Sequence, residues 1–269
     1  MCVYGGDNAE WFQVAVNSVL NQTVSPDEVV LVVDGPVPDT LDSVICGYEQ
    51  MPQFKVIRLA ENQGHGNARR ISLENCTYEL VALMDADDIS VPERFEKQLA
   101  YFAQDKTLAI VGGNIVEFCG AMDNVTGERI VPQKHEEISE YMKTRCPMNQ
   151  VTVMFRKADV MAVGGYIDWF CEEDYYLWLR MYLADMRFAN IPETLCQVRI
   201  GEEMYRRRGG WKYFCSEAKL QKYMLDKQII GVGTYLMNVA KRLIVQVLLP
   251  NSLRGFVFQK FARKTVKKS

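Results

Sequence analysis

The sequence predicts an α/β protein with a mostly parallel central sheet flanked by helices, followed by a helical C-terminal extension. Three observations carry this. Apolar strand-length runs alternate with helical periodicity from the start of the chain through residue 84. Two of these runs stop abruptly on acids, LVVD at 31–34 and LVALMD at 80–85. From Gly210 onward the strand signals give way to helical ones. Strand–helix–strand alternation in a single chain builds βαβ units, whose strands run parallel. The expected division is a nucleotide-handling and catalytic region over 1–209 and a helical extension over 210–269.

Each element has a local reason. Met1 to Tyr4 is too short to make a good central strand, so the sequence reads as though it opens partway through one. Phe12, Val16, Val19 and Leu20 recur at helical spacing and predict a helix over 10–22; EVVLVV at 28–33 is the next strand. Leu41, Val44, Ile45 and Tyr48 share one helical face, and FKVIRL at 54–59 is a further strand. NQGHGNARR at 62–70 then opens a third helix. Leu80 to Met84 reads as a strand buried on both faces, as in a parallel sheet. Ser90-Val91-Pro92-Glu93 has the pattern of a capping box before a helix at 93–104 with Phe95, Leu99 and Phe102 on one face. Leu108 to Phe118 is strand material broken at Gly112-Gly113, Asp123 to Glu128 a hairpin tip, and Gln150 to Phe155 another strand. Helices are expected over 210–228, 230–248 and about 251–262.

Three groups of residues have chemical potential. Asp85, Asp87 and Asp88 crowd the end of one strand, where open α/β sheets bind ligands. Like charges a few ångströms apart raise one another's pKa, and a divalent cation relieves them. Hard Mg2+ or Mn2+ takes one or two carboxylates and fills its shell with water and substrate phosphates, which would make this a site for a metal-bridged diphosphate. An ordinary acidic turn before a helix explains the same residues. In NQGHGNARR the glycines would let backbone N–H groups approach a phosphate, with Arg69 or Arg70 adding charge; a helix start with surface arginines is the plainer account. Neither a Walker A loop nor a G-x-G-x-x-G after the first strand is present. Glu172, Glu173 and Asp174 stand at the start of a helix, either as a general base with neighbours or as acids favoured by the helix dipole.

Composition narrows the class. With 48% hydrophobic and 24% charged residues in 269, the chain can bury a substantial core, which excludes a disordered protein. Its longest apolar runs fall well short of the ~18 residues of a membrane span. Eight cysteines lack metal spacing and are expected as core thiols in a reducing cytosol. Two histidines, His65 and His135, come without a nucleophile motif. Net charge is −3, yet residues 241–269 hold eight Lys or Arg and no acid. Leu253, Phe256, Val257, Phe258 and Phe261 interleave with these cations, giving either a helix for an anionic membrane surface or a docked helix with a solvated basic face. No stacking aromatics on a sheet accompany them, so a nucleic-acid role has little support.

Taken together, VYGGDN and SVLNQT near the start, LVVDGP at 31–36, NQGHGNAR at 62–69, MDADD at 84–88, TVMFRK at 152–157, GGY at 164–166 and EEDYYLWLR at 172–180 resemble the inverting family 2 glycosyltransferases of the GT-A fold. The resemblance runs over nearly the whole chain. It implies that Asp34 accepts a hydrogen bond from the uracil of a UDP-sugar donor. Asp85 and Asp87 match the D-x-D element, Asp85 nearer the ribose and Asp87 on the metal, Mn2+ or Mg2+, with Asp88 a neighbouring candidate. Arg69 matches a basic position near the nucleotide. Asp174 matches the general base, and Glu173 its partner in positioning the acceptor. Tyr205 to Gly210 falls on a loop over the donor, so Arg207 or Arg208 would meet the pyrophosphate. The short first strand departs from the pattern and puts the base-stacking wall in doubt.

The implied reaction moves a sugar to an acceptor hydroxyl with inversion. The implied acceptor is a bacterial surface glycan on a lipid carrier, met in the cytoplasm at the inner face of the plasma membrane. A non-catalytic sugar-nucleotide-binding partner in a polysaccharide assembly complex is the alternative. The aspartyl-phosphate phosphatases, which D-A-D also resembles, follow their first strand with D-x-D-x-[TV]; here the acids follow a later strand and Ile89 stands last.

Overall fold

The computed structural model describes residues 1–201 and 209–249. It is a mixed α/β protein with parallel strands at its start and helices packed on both sides. Strands β1 (Cys2–Tyr4), β2 (Val29–Asp34) and β3 (Phe54–Arg58) form one parallel sheet. Every residue of β2 is buried, as expected of a strand covered on both faces. Helix α1 (Ala9–Leu20) starts at Asn8, whose Oδ1 accepts the Glu10 and Trp11 N–H groups at 2.9 and 3.1 Å. It packs Phe12 and Val16 with Leu31 and Val33 of β2, and Leu41 and Ile45 of α2 (Asp39–Glu49) join the same cluster. Helix α3 (His65–Asn75) follows β3.

The second sheet is built from β4 (Leu80–Ala82), β5 (Ile89–Ser90), β6 (Leu108–Phe118), β7 (Val125–Arg129), β8 (Met154–Arg156) and β9 (Arg187–Arg199). Its order is β4-β8-β6-β9-β5, with β7 hairpinned onto β6. The long β6–β9 pair is parallel; the other pairs are antiparallel. Gly112 and Gly113 do not break β6. They are points of close approach, where a Cβ would lie 2.6 Å from Asn190 Oδ1 and from Leu195 Cδ1 respectively, and the β6–β9 register slips just after Gly113.

Three local expectations are corrected. The strand before the acids is only three residues long and partly exposed, and its partner β8 runs antiparallel. The capping box at Ser90 does not form. Ser90 lies in β5, paired with Cys196 of β9, and Gln22 donates to its hydroxyl; α4 (Arg94–Gln104) has Glu93 as its cap with no side-chain bond. Gln22 also accepts the Phe95 N–H at 3.1 Å, so a residue 73 positions away does the work of the local cap. Of QVTVMF, Gln150–Thr152 form a 3₁₀ turn and only Met154 onward is strand. The cysteines also differ from expectation. All are free, but only Cys196 is fully buried, and Cys46, Cys119, Cys171 and Cys215 are exposed.

Helices α5 (His135–Met142), α6 (Lys157–Ala162) and α7 (Glu173–Leu183) pack on the second sheet. Beyond the undescribed stretch come α8 (Trp211–Asp226) and α9 (Val232–Leu243), which widens into a π-helical turn over Ile244–Leu248. Leu220 and Met224 of α8 bury against Leu177, Trp178 and Met181 of α7, so these helices share one core. Among the described residues no helix is long and apolar enough to cross a membrane.

Candidate functional site

The site begins where β2 ends. Asp34 is buried, and its carboxylate accepts the Gln63 N–H at 2.7 Å and the Gly64 N–H at 3.1 Å. The next residue, Gly35, has φ +85°, and a Cβ there would stand 2.6 Å from the Asn62 nitrogen. Only glycine lets the two loops pass this closely. Asp34 therefore anchors the NQG turn that starts α3, a structural duty the sequence did not reveal. Gly64, at φ +87°, takes the N-cap position of that helix.

One turn into α3, Arg69 is 7% exposed and joins two carboxylates that lie far apart in sequence. It donates to Asp85 Oδ1 at 2.9 Å and to Glu173 Oε1 at 3.0 Å. Burial opposes its charge, but Asp85 and Glu173 outweigh that and raise its pKa above the ordinary arginine value. Burial likewise works against ionised Asp85, and Arg69 and then His65 more than offset it, so Asp85 is held below the usual carboxylate range. The guanidinium expected to approach a nucleotide is thus engaged inside the protein, tying the end of β4 to the start of α7.

Asp87 and Asp88 part company. Asp87 is partly exposed. Asp88 is 4% exposed, and its Oδ1 accepts the Arg199 N–H at 2.8 Å, fastening β9 to the turn. Burial first, then the charges of Asp87 and Asp85, push the Asp88 carboxyl well above its ordinary pKa. Arg199 was not anticipated. Its guanidinium lies 4.4 Å from the centre of the Trp11 ring and 4.7 Å from that of Phe118, and it donates to the Asp87 carbonyl oxygen at 3.3 Å. No pattern in the sequence joins residue 199 to residue 87; the β5–β9 pairing does so.

At the start of α7, Glu172 and Glu173 are buried while Asp174 is partly exposed. Asp174 Oδ1 accepts the Tyr175 N–H at 2.6 Å. Glu173 also faces His65 Nδ1 at 3.4 Å. Burial is the main cause of a Glu173 pKa raised to about 7; Arg69 works against the rise, and Asp174 adds to it. The Glu172 carboxyl is also pushed up, by burial and then by Glu217. Asp85, Arg69 and Glu173 thus form one connected cluster, with Asp87 and Asp174 as the partly exposed carboxylates beside it. Arg207 and Arg208 lie outside the described residues.

The acids at 85–88 fit a hard divalent cation. They offer oxygen donors, and two of them, Asp85 and Asp87, are on partly exposed side chains. Among the described residues no three or more His, Cys, Asp or Glu form an all-protein metal cage. A cation held by one or two carboxylates draws its remaining ligands from water and substrate phosphate.

The model of the family described as Glycosyl transferase family 2 matches residues 1–163. An uncharacterized glycosyltransferase of Haemophilus influenzae is 37% identical over 98% of each chain. The Escherichia coli UDP-Gal:alpha-D-GlcNAc-diphosphoundecaprenol beta-1,3-galactosyltransferase is 33% identical over 98% of this chain and 95% of that protein. Residues 1–349 of Staphylococcus aureus TarS, solved with UDP-GlcNAc, share the fold at a TM-score of 0.62 and 18% identity, covering 90% of this chain and 71% of that one. With the family matched across more than half its length and full-length relatives above 30% identity, the chain belongs to glycosyl transferase family 2 and is a glycosyltransferase.

Proposed function

We propose that this enzyme transfers a sugar from a UDP-sugar to an acceptor hydroxyl with inversion at the anomeric carbon. The observation that carries the reading is the Arg69 bridge, which holds the D-x-D turn and the E-D helix start in one cluster. Donor and acceptor machinery then meet at a single place. In this reading Asp34 would accept from the uracil edge, Asp85 would meet the ribose, and Arg207 and Arg208 would meet the pyrophosphate. Asp87, with Asp88 beside it, would hold Mn2+ or Mg2+. The bound cation supplies charge neutralisation to the departing diphosphate.

Asp174 is the general base. It takes the acceptor proton as the hydroxyl oxygen attacks from the face opposite the leaving group, and Glu173 positions that hydroxyl from its place on Arg69. An α-linked donor gives a β-glycoside without a covalent enzyme intermediate. The acceptor is a lipid-linked glycan of a surface polysaccharide, as the name of the E. coli relative suggests for that enzyme. The reaction takes place in the cytoplasm at the inner face of the membrane, with residues 250–269 as the basic contact.

The test is UDP release from a panel of sugar nucleotides with an undecaprenyl-diphosphate-linked sugar as acceptor, in Mn2+, Mg2+ or EDTA. One donor should turn over with metal and fail in EDTA. Asp174→Asn should lower kcat by about 10²- to 10⁴-fold with donor affinity kept. Full kcat in that variant would remove Asp174 as the base; UDP binding without turnover of any donor would favour a non-catalytic binding partner.

A further inference from the structure

Helix α9 is turned inside out. A surface helix of a globular protein ordinarily sends its apolar stripe inward and its polar face to water. Here the buried side chains are polar. Asn238 is 3% exposed and donates to Gln221 Oε1 at 2.8 Å and to the Lys143 carbonyl oxygen at 2.9 Å. Arg242 pairs with Glu217 at 2.8 Å and donates to the Thr144 carbonyl oxygen at 3.1 Å. Gln246, in the π-helical turn, is buried and also donates to Glu217. Helix α8 explains the inversion. Its Leu220 and Met224 are taken by the α7 core, so Glu217 and Gln221 are what it offers to α9.

The outer face is apolar. Val232, Leu236, Met237, Ile244 and Leu248 are 51–65% exposed, and over residues 232–249 Lys241 is the one charged residue exposed among them. Trp211, also exposed, stands next to the π-helical turn, because the Gly210 N–H before it donates to the Gln246 carbonyl oxygen at 2.9 Å. Single exposed apolar residues are ordinary; a set of them on one helix, backed by buried polar groups, marks contact with an apolar medium. Charge selects that medium. Residues 227–269 hold nine Lys or Arg and no acid. A second copy of this face would set like charges against each other, whereas an anionic lipid surface attracts them.

We propose that the outer face of α9 and its π-helical turn is a membrane-docking surface, which sinks Leu236, Ile244 and Leu248 into the boundary between headgroups and acyl chains of an anionic bilayer. Such a helix lies in the plane of the interface, where a tryptophan such as Trp211 also sits well. This is a contact separate from residues 250–269, and its use rests on the reading above that the acceptor is lipid-linked. The surface leads toward the catalytic helix start. Lys212 holds its ammonium 4.0 Å from the centre of the Phe170 ring, three residues before Glu173.

The experiment is flotation of the full chain with vesicles of phosphatidylglycerol and phosphatidylethanolamine, beside the triple variant Leu236→Ser, Ile244→Ser, Leu248→Ser and the single variant Lys241→Glu. Tm checks folding and sedimentation velocity checks self-association. The parent should float with the vesicles. The triple variant should bind at least about tenfold more weakly at an unchanged Tm, because interfacial binding scales with the apolar area inserted. Lys241→Glu should weaken binding at least about fivefold. No binding by the parent, or binding by both variants equal to the parent's, would overturn the proposal, and so would a parent dimer that the triple variant splits while vesicle binding is kept. Turnover of a short-chain acceptor without vesicles judges the transfer reaction separately, so either reading can fail alone.

Discussion

One strand of this protein, β2, ends on an aspartate and another, β4, is followed by one three residues on, and the fold treats the two carboxylates differently. Asp34, at the end of β2, is buried and met by two backbone N–H groups of the NQG turn. Asp85, just beyond β4, is met by the guanidinium of Arg69, which also holds Glu173. The backbone donors of Asp34 belong to a single loop, 29 and 30 residues further along the chain, and serve to shape it. An arginine with two carboxylate partners instead joins segments 16 and 104 residues away, so the same residue type at the same kind of strand end becomes a junction. An acid at a strand end therefore gains its role from the donors the fold sets opposite it.

The comparison is broken most severely at Arg69. Arg69→Met removes one side of a buried ion-pair cluster and leaves Asp85 and Glu173 facing each other without it, a loss of about 3–5 kcal/mol. Chemical denaturation measures this directly, and a loss below about 1 kcal/mol would show that Arg69 is not the junction. A smaller effect follows from pH. The Glu173 carboxyl is raised from 4.5 to about 7, so the folded protein binds more protons than the unfolded chain between those values. Stability should therefore fall as pH rises from about 4.5 to 7 and level off above, by at most about 3 kcal/mol from this group. Glu173→Gln should flatten part of that slope, while Glu172 and Asp88, also raised, keep the remainder. An unchanged slope in the variant would deny Glu173 this proton. The mildest change is Asp34→Asn. A side-chain amide has one acceptor oxygen, so one of the Gln63 and Gly64 N–H groups loses this acceptor, at a cost of about 1–3 kcal/mol for Gln63 and less for Gly64, which also donates to Asn62 Oδ1 at 3.2 Å. Exchange at those two amides should quicken while exchange in β4 stays as it was; a change spread over both strand ends would mean the two are coupled.

Much of the first sheet was legible because its signals are local. The helical spacing of Phe12 and Val16, the apolar run of β2 and the glycines around α3 depend on neighbours within one or two turns; α1 and β2 stand within two residues of their expected bounds, and α3 starts at His65 inside the expected 62–70 opening. The order and spacing of LVVDGP, NQGHGNAR, MDADD and EEDYYLWLR were likewise enough to point to the family. The second sheet was harder to read. β4 and β8 are three residues each and pair across more than 70 positions, and the 13-residue β9 was not anticipated. The false capping box at Ser90 has the same origin. Its local pattern is sound, but pairing with Cys196 and bonding to Gln22 place Ser90 in a strand.

The sequence by itself determined which elements form early in the chain, where acids fall along it and which family they belong to, because periodicity, turn chemistry and motif order are properties of neighbouring residues. Only the tertiary structure decided what those acids face. It gave Asp34 to the α3 loop, Asp88 to β9, and Asp85 and Glu173 to a shared arginine. A carboxylate's charge, reach and pKa follow from burial and from partners within a few ångströms, and those partners are brought together by packing across long stretches of chain.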